Sequence, residues 1–394
     1  MVRHTVCVVT GSRAEFGLLR PLIEKLANHD AIDLRLVVTG SHLSSSFGGT
    51  QSEITDSGFS IHKKVPLPMG GDSKRDMVQA TGYGMSVFAD YFSENRPDLL
   101  IVLGDRYEIF AVAAAAALLG IPIAHICGGE VTEGAVDEFL RHSITKMSFL
   151  HFTECEVYRQ RVIQLGEDPE RVFNVGALGV ENVLHVPLLS LDDLQESIQF
   201  SFQGRPFSVV TFHPVTMENS TAETQVGELI GAMDRFPQMD YLITLSNADA
   251  GGRAVNRIWE REALTHNNWI VAPSLGTQRY LSALRYAEMM LGNSSSGIIE
   301  GPAMHLPTVN IGDRQKGRVM AESVICSPPV CQEIVSAMER ALTPEFRRIA
   351  ENSVNPFGNG RTSGQIMSEI FAFWASSEAN IKKSFFNIPL EAKQ

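Results

Sequence analysis

Short apolar runs recur along the chain and alternate with stretches whose apolar residues have helical spacing. The first run, Thr5–Thr10, ends at Gly11 and is followed by helical spacing over Glu15–Leu26. Because these runs are apolar throughout, they are typical of parallel strands covered on both faces. The alternation predicts a doubly wound α/β fold. In the first half, the predicted strands are Thr5–Thr10, Leu34–Thr39, Leu99–Leu103, Ile121–Ile126, Phe149–Thr153 and Val172–Val175.

The pattern restarts after Pro187–Gln203, a polar stretch that favours helix. We therefore predict two Rossmann-like domains, 1–185 and 186–377, and a polar tail at 378–394 that frays. Ligands of such domains bind beyond the carboxyl ends of the strands, so two domains in tandem predict a cleft between them. In the second half, the predicted strands are Phe207–Phe212, Tyr241–Leu245, Trp269–Val271, Met289–Leu291 and Thr308–Ile311.

Charge and cysteine content narrow the class of protein. The 33 basic and 45 acidic residues give a net charge of −12, which argues against nucleic acid as a partner. The five cysteines contain no C-x-x-C pair, so neither a disulfide framework nor a zinc site is indicated, and we expect a cytoplasmic protein. Ile109–Cys127 has no charged residue, but Gly120 and Pro122 interrupt it. It predicts a buried helix, a turn and a strand rather than a membrane span.

Two turns between a strand and a helix are candidate anion sites. Thr10–Gly17 carries Arg13, and Gly292–Glu300 carries hydroxyl and glycine residues, namely Ser294, Ser295, Ser296 and Gly297. Backbone N–H groups at a helix start favour phosphate, and Glu300, one turn on, could accept hydrogen bonds from ribose. Neither turn has the G-x-G-x-x-G pattern or a P-loop lysine. An ordinary strand–turn–helix and a serine-rich helix cap remain the structural alternatives.

Carboxylates and a histidine also follow predicted strands. Asp105 and Glu130 come after two strands, Asp137 lies soon after Glu130, and His213 follows the first strand of the second half. Neighbouring carboxylates can take separate acid and base roles, and a histidine can donate to phosphate or transfer a proton. The alternatives are turn and cap residues and a structural histidine. A divalent metal held by these residues has little support, because no metal-ligand spacing is present.

Seven motifs in order resemble those of the hydrolysing UDP-N-acetylglucosamine 2-epimerases of sialic acid biosynthesis, the NeuC type. The resemblance covers roughly residues 3–375. The motifs span Val9–Gly17, Leu103–Glu108, Gly128–Glu130, Arg141–Lys146, Phe212–Pro214, Gly292–Gly297 and Gly312–Arg318.

This resemblance implies a glycosyltransferase-B-like pair of Rossmann-like domains, a homodimer, and a reaction without cofactor or catalytic metal. The implied reaction converts UDP-N-acetylglucosamine and water to N-acetylmannosamine and UDP, through elimination to 2-acetamidoglucal and water addition with inversion at C2. It implies that the catalytic acid and the catalytic base are among Asp105, Glu130 and Asp137. Which residue takes which role stays open. It also implies a catalytic role for His213 beside the departing diphosphate. UDP-binding roles are implied for Arg13, Asn247, Ser294, Ser295, Ser296, Gly297, Glu300 and Arg314.

The substrate and the reaction class leave alternatives. A sister group acts on UDP-N,N′-diacetylbacillosamine in legionaminic acid biosynthesis. Cys127 stands where many relatives have histidine, so one contact to the sugar or phosphates differs. A glycosyltransferase of the same fold would need an acceptor. A nucleotide-sugar sensor would bind without turnover and would have no need for three carboxylates.

Overall fold

The computed structural model describes residues 3–44, 49–68, 71, 73–133, 136–215, 222–246, 251–376 and 382–389. Contacts divide the chain into two compact units. The first unit comprises Met1–Glu130, Asp137–Glu181 and Phe357–Gln394, and the second comprises Val131–Val136 and Asn182–Pro356. The sequence placed residues up to 377 in the second domain, whereas the structure places the chain from Phe357 onward in the first unit.

The first unit is built on a sheet that has seven parallel strands among the described residues, in the order β3-β2-β1-β4-β5-β6-β7. Neighbouring parallel strands end at one edge of the sheet, so the loops after β1, β4, β5 and β6 lie side by side. The strands are β1 (His4–Thr10), β2 (Ile32–Thr39), β3 (Lys63–Val65), β4 (Leu99–Leu103), β5 (Ile123–Ile126), β6 (Leu150–Thr153) and β7 (Val172–Asn174).

The second unit repeats this design with a sheet of six parallel strands in the described chain, in the order β10-β9-β8-β11-β12-β13. In both sheets the first strand of the unit, β1 or β8, lies in the interior of the sheet, and later strands are added on both sides. This order confirms the predicted pair of doubly wound α/β domains. The strands are β8 (Phe207–Thr211), β9 (Asp240–Thr244), β10 (Trp269–Ala272), β11 (Met289–Gly292), β12 (Thr308–Ile311) and β13 (Val324–Ser327).

Helices connect the strands and cover the sheets, since a parallel strand can be followed by another only through a crossover. Short 3-10 helices also occur at Gly40–Leu43 and Pro169–Arg171. The α-helices are α1 (Arg13–Ala27), α2 (Gln51–Asp56), α3 (Lys74–Glu94), α4 (Tyr107–Leu118), α5 (Asp137–Met147), α6 (Glu156–Gln164), α7 (Leu178–His185), α8 (Leu191–Ile198), α9 (Ala222–Met233), α10 (Gly252–Ala263), α11 (Gly276–Tyr286), α12 (Ser296–Ala303), α13 (Cys331–Leu342), α14 (Pro344–Asn352) and α15 (Thr362–Ala375).

The late helix α15 completes the core of the first unit. Ile366, Met367 and Ile370 are buried together with side chains of β1, β2, β4 and α1. Trp374 stacks on the His4 ring with 4.1 Å between centroids. Burial of apolar side chains at about 25 cal/mol per Å² favours this return of the chain, which explains why its end belongs to the first unit.

Residues 382–389 dock on the first unit, although the sequence predicted that the tail frays. Lys383 Nζ lies 2.5 Å from a carboxylate oxygen of Glu167, and the backbone N–H of Phe386 donates to the Gly166 carbonyl at 3.0 Å. The Phe386 ring packs against a small apolar cluster that includes Val162. An ion pair to a buried carboxylate and the packing of the Phe386 ring thus hold a segment that is polar by composition.

The uncharged stretch Ile109–Cys127 forms the greater part of α4, a turn and β5, as predicted. Within the described residues, no helix is both long enough and apolar enough to cross a membrane.

Candidate active site

In the first unit, two of the predicted acids meet at one arginine, Arg141 of α5. Asp105 follows β4, and its carboxylate forms a close ion pair with the Arg141 guanidinium. Glu130 follows β5, and its carboxylate lies 4.0 Å from Arg141 Nη2, while its carbonyl accepts from Nη1 at 3.2 Å. In the sequence analysis Arg141 is only part of a motif, and the structure shows that this arginine brings the two acids together.

The third acid, Asp137, is the first residue of α5 and faces the same arginine. Arg141 is 1% exposed. Burial acts to lower the pKa of its guanidinium, but the charges of Asp105, Glu130, Asp137 and Glu138 outweigh burial and raise that pKa above the ordinary value. The arrangement is a half-buried group of carboxylates around one permanent cation.

His125 fixes the loop that carries Asp105. It lies inside β5, where its Nε2 donates to the Gly104 carbonyl at 2.8 Å and its Nδ1 accepts from the Thr145 hydroxyl at 3.2 Å. Burial lowers the pKa of the imidazole to about 3, so the ring is neutral. A neutral histidine within an apolar strand gives no sequence signal of this positioning contact.

Glu154, which follows β6, is a buried carboxylate beside Glu130 that the sequence did not single out. The Cys127 thiol donates to Glu154 Oε1 at 3.3 Å, and the acidic and thiol atoms of Cys127, Glu130 and Glu154 all lie within 4.8 Å of one another. Cys127 takes a left-handed backbone conformation with φ 67°. The thiol hydrogen bond accounts for the contact between Cys127 and Glu154, and we assign no metal ligand here.

Arg13 is the first residue of α1, and buried charged residues surround the turn that precedes this helix. Ser12 caps the helix, and Glu15 accepts from the Gly11 N–H at 2.8 Å. Arg106 pairs with Glu108 at 2.6 Å and lies 3.7 Å from Glu15. Burial and the nearby Glu108 raise the pKa of Glu15 to about 8. This network stabilises the turn after β1, where helix geometry favours an anion.

In the second unit, His213 is clamped by Asn293. The Asn293 side chain accepts from the His213 N–H at 2.7 Å and donates to the His213 carbonyl at 2.8 Å. His213 follows β8 and Asn293 follows β11, and these strands are neighbours. The two hydrogen bonds therefore hold together the loops that follow the neighbouring strands β8 and β11. The sequence listed Asn293 only as part of a motif.

The serine-rich turn leads from β11 into α12, as predicted. Ser295 is the N-cap residue, and the Ser294 hydroxyl accepts from the Ser296 N–H at 3.3 Å. Gly292 has φ 125°, and a Cβ there would lie 1.9 Å from the Thr211 carbonyl, so only glycine fits. Gly297 lies in the first turn of α12. Glu300 follows on the same helix, where burial raises the pKa of its carboxyl.

The three cations after β12 have partners within the second unit. Arg314 donates to the carbonyl of Asn293, the residue that also holds the His213 backbone, at 3.2 Å. Arg318 donates to the Val131 carbonyl at 3.3 Å, and Lys316 lies 3.9 Å from Glu133. Arg314 is thus the cation placed beside the serine-rich turn. Asn247, the remaining predicted contact, lies outside the described residues.

Each unit thus assembles one part of the predicted machinery at the carboxyl edge of its own sheet. Acids and a cation follow β4, β5 and β6 in the first unit, and N–H and hydroxyl donors follow β8 and β11 in the second. The first set is suited to proton transfer, and the second to a phosphate ligand.

Comparison with known proteins agrees with this chemistry. Residues 24–371 match the family model described as UDP-N-acetylglucosamine 2-epimerase. The chain is 38% identical to the polysialic acid biosynthesis protein P7 of Escherichia coli, over 98% of this chain and 97% of that protein. It is 36% identical to the GDP/UDP-N,N′-diacetylbacillosamine 2-epimerase (hydrolyzing) of Campylobacter jejuni, over 88% and 90%.

A solved structure shares the fold. It is the UDP-GlcNAc 2-epimerase of Neisseria meningitidis bound to UDP-GlcNAc, with a TM-score of 0.79 and 17% identity, over 93% of this chain and 100% of that one.

Proposed function

The chain belongs to the UDP-N-acetylglucosamine 2-epimerase family, with hydrolysing UDP-sugar 2-epimerases among its relatives, and from this premise we propose that its substrate is UDP-N-acetylglucosamine. The products are N-acetylmannosamine and UDP. The proposed reaction removes the C2 proton and expels UDP to leave 2-acetamidoglucal. Water then adds at C1, and a proton adds to C2 from the opposite face.

The convergence of Asp105 and Glu130 on Arg141 is the observation that carries this proposal. The reaction needs a base to take the C2 proton and an acid to return one, and both must reach the same carbon. We assign these tasks within the set Asp105, Glu130 and Asp137. Arg141 holds the carboxylates in place, and its charge limits their mutual repulsion.

Departure of UDP requires donors that stabilise the negative charge developing on the diphosphate. We assign this task to the turn formed by Ser294, Ser295, Ser296 and Gly297, together with His213 and Arg13. Glu300 is proposed to accept from the ribose hydroxyls, and Asn247 and Arg314 to bind the nucleotide. That both sets act on one bound substrate stays a prediction.

A second candidate substrate is UDP-N,N′-diacetylbacillosamine, which the 36% identity to the Campylobacter jejuni enzyme favours. The 38% identity to the polysialic acid protein favours UDP-N-acetylglucosamine. The two sugars differ at C4 and C6. The diacetylbacillosamine sugar has an N-acetyl group at C4 in place of a hydroxyl, and its C6 is a methyl group without a hydroxyl. Substrate choice therefore depends on groups that contact that side of the sugar.

The deciding experiment is NMR of the purified protein in D2O with each UDP-sugar in parallel. Free N-acetylmannosamine with deuterium at C2 is expected from UDP-N-acetylglucosamine. Faster turnover of the bacillosamine derivative would move the assignment to that substrate. UDP release without a C2-epimerised sugar would indicate a transferase, and binding without turnover would indicate a sensor.

We further propose that the enzyme is a homodimer, as the resemblance implies, and that it is cytoplasmic, as its cysteine content favours. Sedimentation of the purified protein tests the dimer, and fractionation of cells that express it tests the location. A monomer at assay concentration would contradict the first statement, and recovery outside the cytoplasmic fraction would contradict the second.

A further inference from the structure

The chain segment 382–389 docks beside the end of α5, the helix that carries the arginine of the acid group. The Lys383 ammonium lies 2.5 Å from a carboxylate oxygen of the buried Glu167. It also donates to the carbonyls of Lys146 at 2.9 Å and Ser148 at 2.5 Å. An ammonium has three N–H donors, and these three contacts use all of them. The lysine therefore enters a site that matches its charge and its hydrogen bonds.

These carbonyls lie at the end of α5, where backbone oxygens lack partners within the helix. The Ile144 carbonyl accepts from the Ser148 hydroxyl at 2.7 Å, and the Thr145 carbonyl accepts from the Ser148 N–H at 3.1 Å. The next carbonyl, that of Lys146, accepts from Lys383. A cation at this end also offsets the negative pole of the helix dipole. Lys383 thus caps α5 from a position 237 residues further along the chain.

Contacts of the aromatic residues that follow hold the same segment in place. The Phe386 N–H donates to the Gly166 carbonyl at 3.0 Å, and the Phe386 ring packs against a cluster that includes Val162 and Val172. Gly166 has φ 86°, and a Cβ there would lie 2.3 Å from the Phe385 ring, so this close approach requires glycine. Backbone, apolar and ionic contacts therefore combine to seat the segment.

The helix that receives this cap makes two contacts that place the proposed acids. Arg141 pairs with the Asp105 carboxylate and lies 4.0 Å from that of Glu130. In the last turn of the helix, the Thr145 hydroxyl donates to His125, which in turn holds the carbonyl that precedes Asp105. A displacement of about 1 Å in a reacting group can lower a rate by about 10²-fold. The end of α5 therefore matters for the placement of the acids.

We propose that Lys383 is a positioning residue of the reaction, because its cap on α5 keeps Arg141 and Thr145 in their working places. The proposal rests on the proposed function. Lys383 touches no substrate atom in this scheme, and its effect reaches the acids through one short helix. The segment 382–389 is then part of the framework of the active site, although it follows every strand and helix of the described chain in sequence.

The test is steady-state kinetics of Lys383→Met, which removes the ammonium and keeps an unbranched side chain. We expect kcat to fall by about tenfold while KM for the UDP-sugar changes by less than about twofold, because the proposed phosphate-binding turn belongs to the other unit. The share of free 2-acetamidoglucal among the products should rise, since a displaced acid returns the proton to C2 more slowly. The assay temperature is one at which circular dichroism shows the variant to be fully folded.

Lys383→Ala allows a rescue experiment, because n-propylammonium replaces the atoms that this substitution removes. It should raise kcat and lower the share of glucal, whereas tetramethylammonium, which has no N–H donor, should change neither. The matched control is Lys25→Met, an exposed lysine in the last turn of α1, and its kinetics should equal those of the unaltered enzyme. Unchanged kcat and product ratio in folded Lys383→Met would overturn the proposal, as would equal effects of the two amines.

Hydrogen–deuterium exchange followed by mass spectrometry provides a readout that needs no turnover. Lys383→Met should speed exchange in the peptide 141–149 by about tenfold, because loss of a hydrogen bond with a charged donor eases local opening. Phe386→Ala loosens the same segment and should shift exchange and product ratio in the same direction, which keeps the test if Lys383→Met does not fold. Unchanged exchange would overturn the capping role. Lack of turnover with either UDP-sugar would instead contradict the proposed function, and exchange would still decide the cap.

Discussion

The side chain of Asn293 forms two hydrogen bonds with the backbone of His213, accepting at 2.7 Å and donating at 2.8 Å. The asparagine is 1% exposed, so both hydrogen bonds are shielded from bulk water. The same residue offers its carbonyl to Arg314 and, at 2.7 Å, to Gln315. One asparagine therefore connects the loops after three neighbouring strands, β8, β11 and β12, at the proposed phosphate site.

The first prediction concerns this connection. Asn293→Ala leaves the His213 N–H and carbonyl buried without their partner, at about 1–3 kcal/mol for each unsatisfied group. We expect a lower free energy of unfolding in denaturant titrations and weaker UDP binding by calorimetry. The control is Asn352→Ala, whose side chain makes an exposed hydrogen bond at the end of α14. Equal behaviour of the two variants would refute the connecting role.

The second prediction concerns the carboxylates around Arg141. Asp105→Asn and Glu130→Gln should each lower turnover by ~10²-fold or more, because each removes a proton-transfer group. UDP release and N-acetylmannosamine formation should be measured together by NMR. Release of free 2-acetamidoglucal by one variant would identify the acid. Asp90→Asn on α3 is the exposed control, and turnover near that of the control would remove the substituted residue from the set.

The third prediction concerns the serine-rich turn and the helix behind it. Ser295→Ala and Glu300→Ala should each weaken UDP binding by about tenfold, since a hydrogen bond with a charged partner contributes ~1.5–3 kcal/mol. Isothermal calorimetry with UDP measures the change. Ser336→Ala on α13 provides a control, because that hydroxyl donates to the Gln332 carbonyl on the helix surface. Unchanged affinity in both test variants would contradict the nucleotide assignment.

The fourth prediction concerns Glu167, a buried carboxylate that is 2% exposed. Its carboxylate oxygens lie 2.6 Å from Lys146, 2.9 Å from His151 and 2.5 Å from Lys383. Burial acts to raise the pKa of Glu167, but its hydrogen bonds and the neighbouring positive groups lower it to about 2. The folded-state pKa is therefore below the unfolded value of 4.5. This carboxylate stabilises the fold fully above pH 4.5, and its contribution disappears as the pH falls toward 2.

Glu167→Gln should lose this pH dependence, on the order of 3 kcal/mol in the free energy of unfolding between pH 6 and pH 2. Denaturant titrations across that range measure it, and the exposed Glu170→Gln serves as control. A Glu167→Gln protein whose stability still falls as steeply as that of the control would show that other groups dominate acid unfolding.

Much of the fold could be predicted from apolar runs, because buried parallel strands leave a continuous apolar signal. The predicted strand Thr308–Ile311 agrees with β12 in both bounds, and Ile121–Ile126 contains β5. The edge strands β3 and β13 were not predicted. Lys63 and Lys64 are exposed, so β3 has no such run. β13 has the apolar residues 324–326, a run as short as the shortest predicted strands, and it was overlooked.

The proposed site could be predicted where a functional group follows a strand. Asp105, Glu130 and the serine-rich turn were found in this way. Glu154 also follows a strand, but its contact with Cys127 involves the neighbouring loop and gives no local signal. Arg141 and Asn293 act through partners that are distant in sequence. Contacts of this kind depend on strand order, which the local pattern does not encode.

The return of the chain from Phe357 onward has a consequence for synthesis on the ribosome. Domains fold as they emerge, starting from the amino-terminal side. The second unit has all of its residues by Pro356, whereas the first still lacks the core side chains of α15 and the Lys383 partner of Glu167. The part of the protein that is translated first is therefore the last to be completed.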